Sequence, residues 1–232
     1  MMDVVYPYRS SVLDVELRFS IRSLVNVHHG KVVVAGDRPR FLSDAAAYVP
    51  MPRDPLRYRS STHNIAAAAE RAVETDRFIV MNDDIFILRP WEFRHEHRGT
   101  IEEYLASGRA TGTYHAHTVA TRDILKAHGV DEPLFFGLHT PTVYERAKLL
   151  GLVKDFDGKP YLLRTLYHNL FPQPCERRDD VKMKKWTGAP VGADVISITD
   201  SMMWKPAFRA WLTKQFPDPS PYETATSARK AA

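Results

Sequence analysis

The chain has 232 residues, 44% of them hydrophobic and 26% charged, which is enough to bury one sizeable core. Its 32 basic and 28 acidic residues give a net charge of +4, and the basic residues are scattered along the chain. This pattern argues against a nucleic-acid binder and suits a small anionic substrate. The single cysteine, Cys175, excludes an intramolecular disulfide and a cysteine-based zinc site. We expect a cytoplasmic protein without a membrane span, with one compact domain at residues 1–223 and a disordered tail at residues 224–232.

The first part of the chain predicts a βαβ unit. Residues 4–6 form a short strand that stops at Pro7, and residues 12–26 carry apolar side chains at helical spacing. Residues 31–35 form a second strand, stopped by Gly36 and Asp37. A strand, a helix and a strand in this order imply a parallel pair. Asp37 is then expected at the carboxyl end of a strand, where open α/β sheets bind ligands.

The next segment predicts a surface excursion and then a helix. Residues 41–59 are rich in Pro and Arg with little periodicity. Their arginines either hold a phosphate or are solvated. Residues 60–74 predict a helix with Ser61 or Thr62 as N-cap, and its alanine run would allow close packing against a sheet.

An acidic pair interrupts the most apolar stretch of the chain, RFIVMNDDIFILRP at residues 77–90. Residues 78–81 form a buried strand, and residues 85–88 continue it or make a short return. Asp83 and Asp84 between them repel each other and are costly to bury unpaired. A divalent cation such as Mg²⁺ or Mn²⁺, shared with substrate phosphates, would satisfy them. The alternative is a turn with solvated charges.

Two histidine pairs follow. His95 and His97 lie in a charged segment and are expected to be solvated. His115 and His117 would share one face of a strand, as structural residues or as metal ligands. A helix is predicted from Thr121 to residue 128, ended by glycine.

His139 is the candidate general base. It precedes a predicted helix at residues 142–150, so its ring is expected near a helix N-terminus, where anions are favoured. It would act as a base, bind phosphate or simply pack. A further helix at residues 161–171 places Arg164 and His168 on one face.

The last part of the chain predicts an exposed, lysine-rich loop at residues 179–186 and a strand at residues 194–200 that ends in Asp200. A final helix begins at Lys205-Pro206.

Several of these segments, in order, resemble the Stealth proteins, the sugar-phosphate transferases of bacterial capsule synthesis and of lysosomal-enzyme tagging. The matching segments are DVVY at Asp3, ELRFSIRSL at Glu16, KVVVAGDRPRFL, THNIAAAAERA, FIVMNDDIFI, LHTP at His139, Arg164, ITD at Asp200 and FPDPSPYE. They cover nearly the whole chain, and ELRFSIRSL and MNDDIFI are the most specific. The family's DVVY is usually followed by Thr-Trp-Val, whereas this chain has Pro7-Tyr8-Arg9, which leaves the donor sugar and the bond broken open.

The resemblance implies a GT-A-like (Rossmann-like) α/β fold, with a mostly parallel sheet flanked by helices. It further implies a divalent metal, Mg²⁺ or Mn²⁺, and transfer of a hexose 1-phosphate from a UDP-sugar to a hydroxyl of a glycan or protein acceptor. An ordinary glycosyltransferase that releases UDP, a non-catalytic binding module and a metal-dependent hydrolase are the alternatives.

The resemblance also implies site residues. Asp83 and Asp84 would hold the metal and the diphosphate. His139 would take the acceptor proton, and Arg164 would neutralise charge in the transition state. The substrate-binding set would be Asp3, Glu16, Arg18, Arg22, Asp37, Asn82 and Asp200.

Overall fold

A computed structural model describes residues 1–10 and 14–224. The predicted helix start at residues 12 and 13, and residues 225–232 of the predicted tail, lie outside the described residues. The first unit comprises Met1–Phe93, His139–Ala147 and Val181–Ala232, and the second comprises Arg94–Leu138 and Lys148–Asp180. Among the described residues, no helix combines the length and the apolar character that a membrane crossing requires.

The strands of the described chain are β1 (Met2–Tyr8), β2 (His29–Gly36), β3 (Ala47–Pro50), β4 (Arg77–Val80), β5 (Ile85–Ile87), β6 (His95–His97), β7 (Thr142–Glu145), β8 (Cys175–Arg177), β9 (Lys182–Met183) and β10 (Val195–Ile198). The α-helices are α1 (Val15–Arg22), α2 (Arg57–Arg71), α3 (Ile101–Ala106), α4 (Gly112–Ala127), α5 (Arg146–Asp155), α6 (Leu163–Leu170), α7 (Asp200–Met203) and α8 (Pro206–Gln215), and a 3-10 turn at Ser23–Asn26 follows α1.

The first unit is built on a five-stranded sheet of order β3-β2-β1-β4-β7. Strands β1 to β4 are parallel and β7 is antiparallel to β4, so the predicted mostly parallel α/β sheet and its first βαβ unit are confirmed. From β1 the chain moves outward to β2 and β3 and then returns to the other side of β1 at β4. The strand order therefore reverses between β1 and β4, and such a switch point is where open α/β sheets bind ligands.

The sequence predicted that strand β1 stops at Pro7, but the strand continues to Tyr8. Proline lacks the N–H that a central strand needs. Here β4 pairs only with Asp3, Val4 and Val5, so Pro7 lies beyond the part of β1 that has neighbours on both sides.

The segment at residues 41–59 is more ordered than predicted. Residues 47–50 form β3, which lies parallel to β2 at the sheet edge, and Phe41 and Leu42 are buried. Helix α2 begins at Arg57, so Ser61 and Thr62 lie inside it and are not N-caps. Its fully buried Ala68 and Ala69 belong to the face that packs on β1, β2 and β3, as the alanine run predicted.

Residues 142–150 are not one helix. Residues 142–145 form β7, whose Val143 and Tyr144 pair with Ile79 and Phe78 of β4, and α5 starts only at Arg146. The β-branched and aromatic side chains of this segment fit a half-buried strand. His139 therefore precedes a strand, and the predicted helix N-terminus beside it is absent.

A second sheet in the first unit has the order β5-β10-β9. Strand β5 pairs antiparallel with β10, so residues 85–88 do not continue β4 in its own sheet. Strand β9 pairs parallel with β10, so the predicted exposed loop at residues 179–186 contains a half-buried strand. Helix α8 begins at Pro206, as predicted, and its Phe208 and Leu212 are fully buried.

Both histidine pairs lie in the second unit, and their structure differs from the prediction. His115 and His117 lie on α4, where His117 is buried and His115 is exposed, so they do not share a strand face. Thr121 does not cap a helix but lies inside α4, its Oγ1 donating to the His117 carbonyl at 2.7 Å. His95 and His97 are half-buried and not fully solvated as predicted, and they belong to β6, which pairs with β8. Gly129 follows α4 with φ 82°, as expected of a glycine that ends a helix.

Candidate functional site

The acidic pair lies at the switch point of the central sheet. Asn82, Asp83 and Asp84 form the turn between the end of β4 and the start of β5. The Ile85 N–H donates to the Asn82 carbonyl at 3.3 Å, and the Ser20 hydroxyl of α1 donates to the Ile85 carbonyl at 2.6 Å. These contacts fix the turn against α1, so the two carboxylates are held at the carboxyl edge of the sheet.

Glu16 and Asp200 complete an acidic cluster with this pair. Burial, followed by repulsion from Asp84, raises the pKa of Asp83 to about 7. Burial, followed by repulsion from Asp83, Asp200 and Asp84, raises the pKa of Glu16 to about 7. Strand β10 and the start of α7 bring Asp200 to the cluster, and Val15–Arg22 brings Glu16. The site therefore concentrates more negative charge than its surroundings compensate.

Lys182 is the cation of this cluster that sequence reasoning missed. Its Nζ forms an ion pair with Oδ2 of Asp84, and both side chains are mostly buried. The lysine belongs to β9, which the sequence did not predict. The sequence carried one signal for it: Lys182 lies between the apolar residues Val181 and Met183. A lone lysine in a half-buried strand needs a partner for its charge.

Asp37 lies at the carboxyl end of β2, as predicted, with its carboxylate already occupied. Arg53 Nε and Nη2 donate to Asp37 Oδ2 at 2.9 and 2.6 Å, and the Ser10 N–H donates to the same oxygen at 2.8 Å. Although burial opposes the shift, these hydrogen bonds lower the pKa of Asp37. Arg57, at the start of α2, acts on Asp83 and partly offsets the rise in its pKa.

Three predicted substrate-binding residues make structural contacts. Asp3 lies at the amino end of β1, opposite to the acidic edge, and accepts the N–H groups of Lys31 and Glu74 at 2.9 and 2.8 Å. The buried Arg22 is bidentate to Glu223, and Arg18 Nε lies 3.7 Å from the same carboxylate. Asp3, Arg18 and Arg22 therefore contact other parts of the protein, and the proposed site does not include them.

The register of β7 gives His139 its place in the first unit. Thr142 is paired with Val80, at the carboxyl end of β4. His139 lies three residues before Thr142, where β7 begins, and its side chain is half-buried. It therefore lies at the same edge of the sheet as Asp83 and Asp84.

Arg164 belongs to the second unit, on α6. Its Nη1 donates to the Leu138 carbonyl at 2.8 Å. One turn further along α6, burial, followed by the positive charge of Arg164 and by His95, lowers the pKa of His168 to about 2. His168 is a buried, neutral core residue beside His95, with the ring centroids 4.9 Å apart.

The acidic pair by itself offers few ligands to a divalent metal. Among the described residues, no three His, Cys, Asp or Glu side chains are placed to hold a metal ion by themselves. Asp84 Oδ1 is nevertheless buried without a hydrogen-bond partner, beside a carboxylate whose pKa is raised. Mg²⁺ and Mn²⁺ use one or two carboxylates and take further oxygens from substrate phosphates and water. Asp83 and Asp84 therefore fit a metal that arrives with a phosphorylated substrate.

Comparison with known proteins gives the fold a name. No family model and no curated protein matches the chain. Two crystal structures of the galactosyltransferase LgtC are similar to it, one in complex with donor and acceptor sugar analogs and one of an active-site mutant. Each has a TM-score of 0.53 and 12% sequence identity, and each match covers 100% of this chain and 100% of the LgtC chain. At this identity the likeness establishes the fold alone, and the predicted GT-A-like fold is confirmed.

Proposed function

We propose that this chain is a nucleotide-sugar-dependent transferase that moves a hexose 1-phosphate from a UDP-sugar to an acceptor hydroxyl on a glycan or protein. The observation that carries the proposal is the acidic pair Asp83 and Asp84 at the switch point of a GT-A-like sheet, with one buried carboxylate oxygen unsatisfied. The Stealth-like series of motifs supports phosphate as part of the transferred group.

In this reaction the acceptor oxygen attacks the phosphorus that bears the sugar, and the bond from that phosphorus to the bridging oxygen breaks, so that UMP leaves. Asp83 and Asp84 would hold a divalent metal, which when bound neutralises charge on the diphosphate. His139 would accept the proton of the acceptor hydroxyl. For Arg164, in the second unit, the charge-neutralising role stays a prediction of the motif series alone. Asn82 and Asp200, both exposed at the acidic edge, would contact the substrate.

Transfer of the sugar itself is the second candidate. The similar structures are named as a galactosyltransferase, and on the same scaffold the acceptor would attack the anomeric carbon and release UDP. Both reactions need the acidic pair and the same donor class, and they differ in the nucleotide released.

The test is to incubate the protein with UDP-sugars, a mixed acceptor preparation, and Mg²⁺ or Mn²⁺, and to identify the nucleotide released. UMP supports attack at phosphorus, and UDP supports the second candidate. An intact protein that binds UDP but releases neither nucleotide would be a binding module, and the transferase proposal would be wrong.

A variant pair tests the acidic site itself. Asp84→Asn should remove the Mn²⁺-dependent rise in Tm that a UDP-sugar gives, because the metal loses a charged ligand. Asp44→Asn makes the same chemical change at a fully exposed carboxylate between β2 and β3 and should keep the rise. Undiminished protection in the Asp84 variant would contradict the central role of the pair.

A further inference from the structure

Lys182 is held against Asp84 by regular structure. In the second sheet Ser197 of β10 lies between Ile85 of β5 and Lys182 of β9. Asp84 immediately precedes Ile85, and its carbonyl accepts the Ile198 N–H at 3.1 Å. With 17% and 16% of their side chains exposed, Lys182 and Asp84 form a pair that is only weakly screened by water.

The pair leaves the carboxylate half satisfied. Lys182 Nζ binds Oδ2 of Asp84, whereas Oδ1 is buried without a hydrogen-bond partner. A metal ion bound at this carboxylate would bring two positive charges next to the ammonium group, and the two cations would repel each other. Lys182 and a metal therefore compete for Asp84.

A donor diphosphate resolves this competition. It brings at least two negative charges into a cluster that already holds Asp83, Asp84, Glu16 and Asp200, so its binding requires added cations. An ammonium group on a flexible four-carbon stem can move from a carboxylate to a phosphate oxygen close by, since it has no fixed geometry to satisfy.

We propose that Lys182 is the counter-ion of Asp84 in the metal-free protein and becomes a ligand of the donor diphosphate when metal and donor bind. The inference rests on the proposed function. It makes Lys182 a substrate-binding residue and couples the two ligands: metal alone must displace the lysine, whereas metal with nucleotide gives the lysine a new partner. Metal and UDP therefore bind with positive cooperativity, each raising the affinity for the other.

The experiment measures Mn²⁺ binding by electron paramagnetic resonance, with and without UDP, in the wild-type protein, in Lys182→Met and in Lys184→Met. Lys184 is an exposed lysine two residues away, so its variant makes the same charge change. Without UDP, Lys182→Met should bind Mn²⁺ about tenfold more tightly than wild type, because the competing cation is gone. At saturating Mn²⁺ it should bind UDP about tenfold more weakly. Lys184→Met should resemble wild type.

Two results would overturn the inference: equal Mn²⁺ affinity in Lys182→Met and Lys184→Met, or no Mn²⁺ binding in either. Lys182→Gln, which keeps part of the stem and its packing, replaces Lys182→Met if that variant fails to fold. Failure of the proposed function is a separate result, because tighter Mn²⁺ binding by Lys182→Met, together with no UDP binding by the wild-type protein, would retain the competition at Asp84 and remove the nucleotide.

Discussion

Arg22 and Glu223 form a buried bidentate ion pair between α1 and the last described residues of the chain. Arg22 Nε and Nη2 donate to the two oxygens of Glu223 at 2.6 and 2.8 Å, and Nη1 donates to the Phe216 carbonyl at 3.2 Å. The two side chains are 3% and 0% exposed. The pair therefore joins the end of α1, the helix of the first βαβ unit, to the segment that follows α8.

Replacing one partner should destabilise the protein strongly. Arg22→Met leaves a buried carboxylate that keeps the Ser220 N–H but has only the more distant Arg18 as a neighbouring cation. We expect a cost of about 3 to 5 kcal/mol in the free energy of unfolding. The double variant Arg22→Met, Glu223→Gln removes both charges and should recover much of that loss. Urea denaturation measures both, and a double variant no more stable than the single one would contradict this account.

Glu16→Gln should stabilise the metal-free protein above pH 7. The pKa of Glu16 is raised from its ordinary 4.5 to about 7, so the folded state binds the proton more readily than the unfolded state between these values. Stability is then lost as pH rises through that window, and the glutamine variant avoids the loss. We expect a gain on the order of 2 kcal/mol at pH 8 that fades toward pH 4.5.

The measurement is urea denaturation at both pH values with a chelator present. Glu132→Gln, at an exposed glutamate of the second unit, is the matched control and should show no such pH-dependent gain. A gain of equal size at both pH values would assign the effect to packing and not to charge.

Gly36→Ala should be far more damaging than Gly108→Ala. Both glycines have positive φ, 120° and 65°, so both substitutions strain the backbone. A Cβ at Gly36 would overlap the carbonyl oxygen of Tyr8 and lie 2.6 Å from Asn64 Nδ2, whereas at Gly108 nothing lies within 4 Å. We expect the Gly36 variant to lose about 2 kcal/mol more than its control in chemical denaturation. Similar losses would mean that β1 and β2 separate easily at this edge.

His139→Ala should lower turnover about 10²- to 10⁴-fold while leaving the Kd of the UDP-sugar near that of wild type, as expected for loss of a general base. His115→Ala, at an exposed histidine of α4, should leave turnover unchanged. Turnover and donor binding are measured separately. Normal turnover in the His139 variant would return this residue to a packing role, and the base would have to be another group at the same edge.

Local patterns were sufficient for most elements of the first ninety residues, although they did not predict the edge strand β3. Periodicity or composition within a few residues is enough to produce each of these elements. They are the strand at Lys31, the alanine-rich helix and the apolar runs around Asp83 and Asp84. The position of the acidic pair after a buried strand followed directly, because two carboxylates cannot lie within such a run. The parallel sheet followed from the handedness of the βαβ unit.

Packing decided what these patterns left open. His115 and His117 match a strand period as well as part of a helix, and only the neighbours of α4 select the helix. Residues 142–145 became a strand because β4 offered an unpaired edge, which no local window contains. Lys182 and Asp84, or Arg22 and Glu223, are far apart in sequence, and their charges could be assigned partners only after the sheets had formed. The sequence by itself thus determined the α/β class and the place of the acidic pair, whereas the tertiary structure decided which cation neutralises it, since ion pairing depends on distances that the fold alone sets.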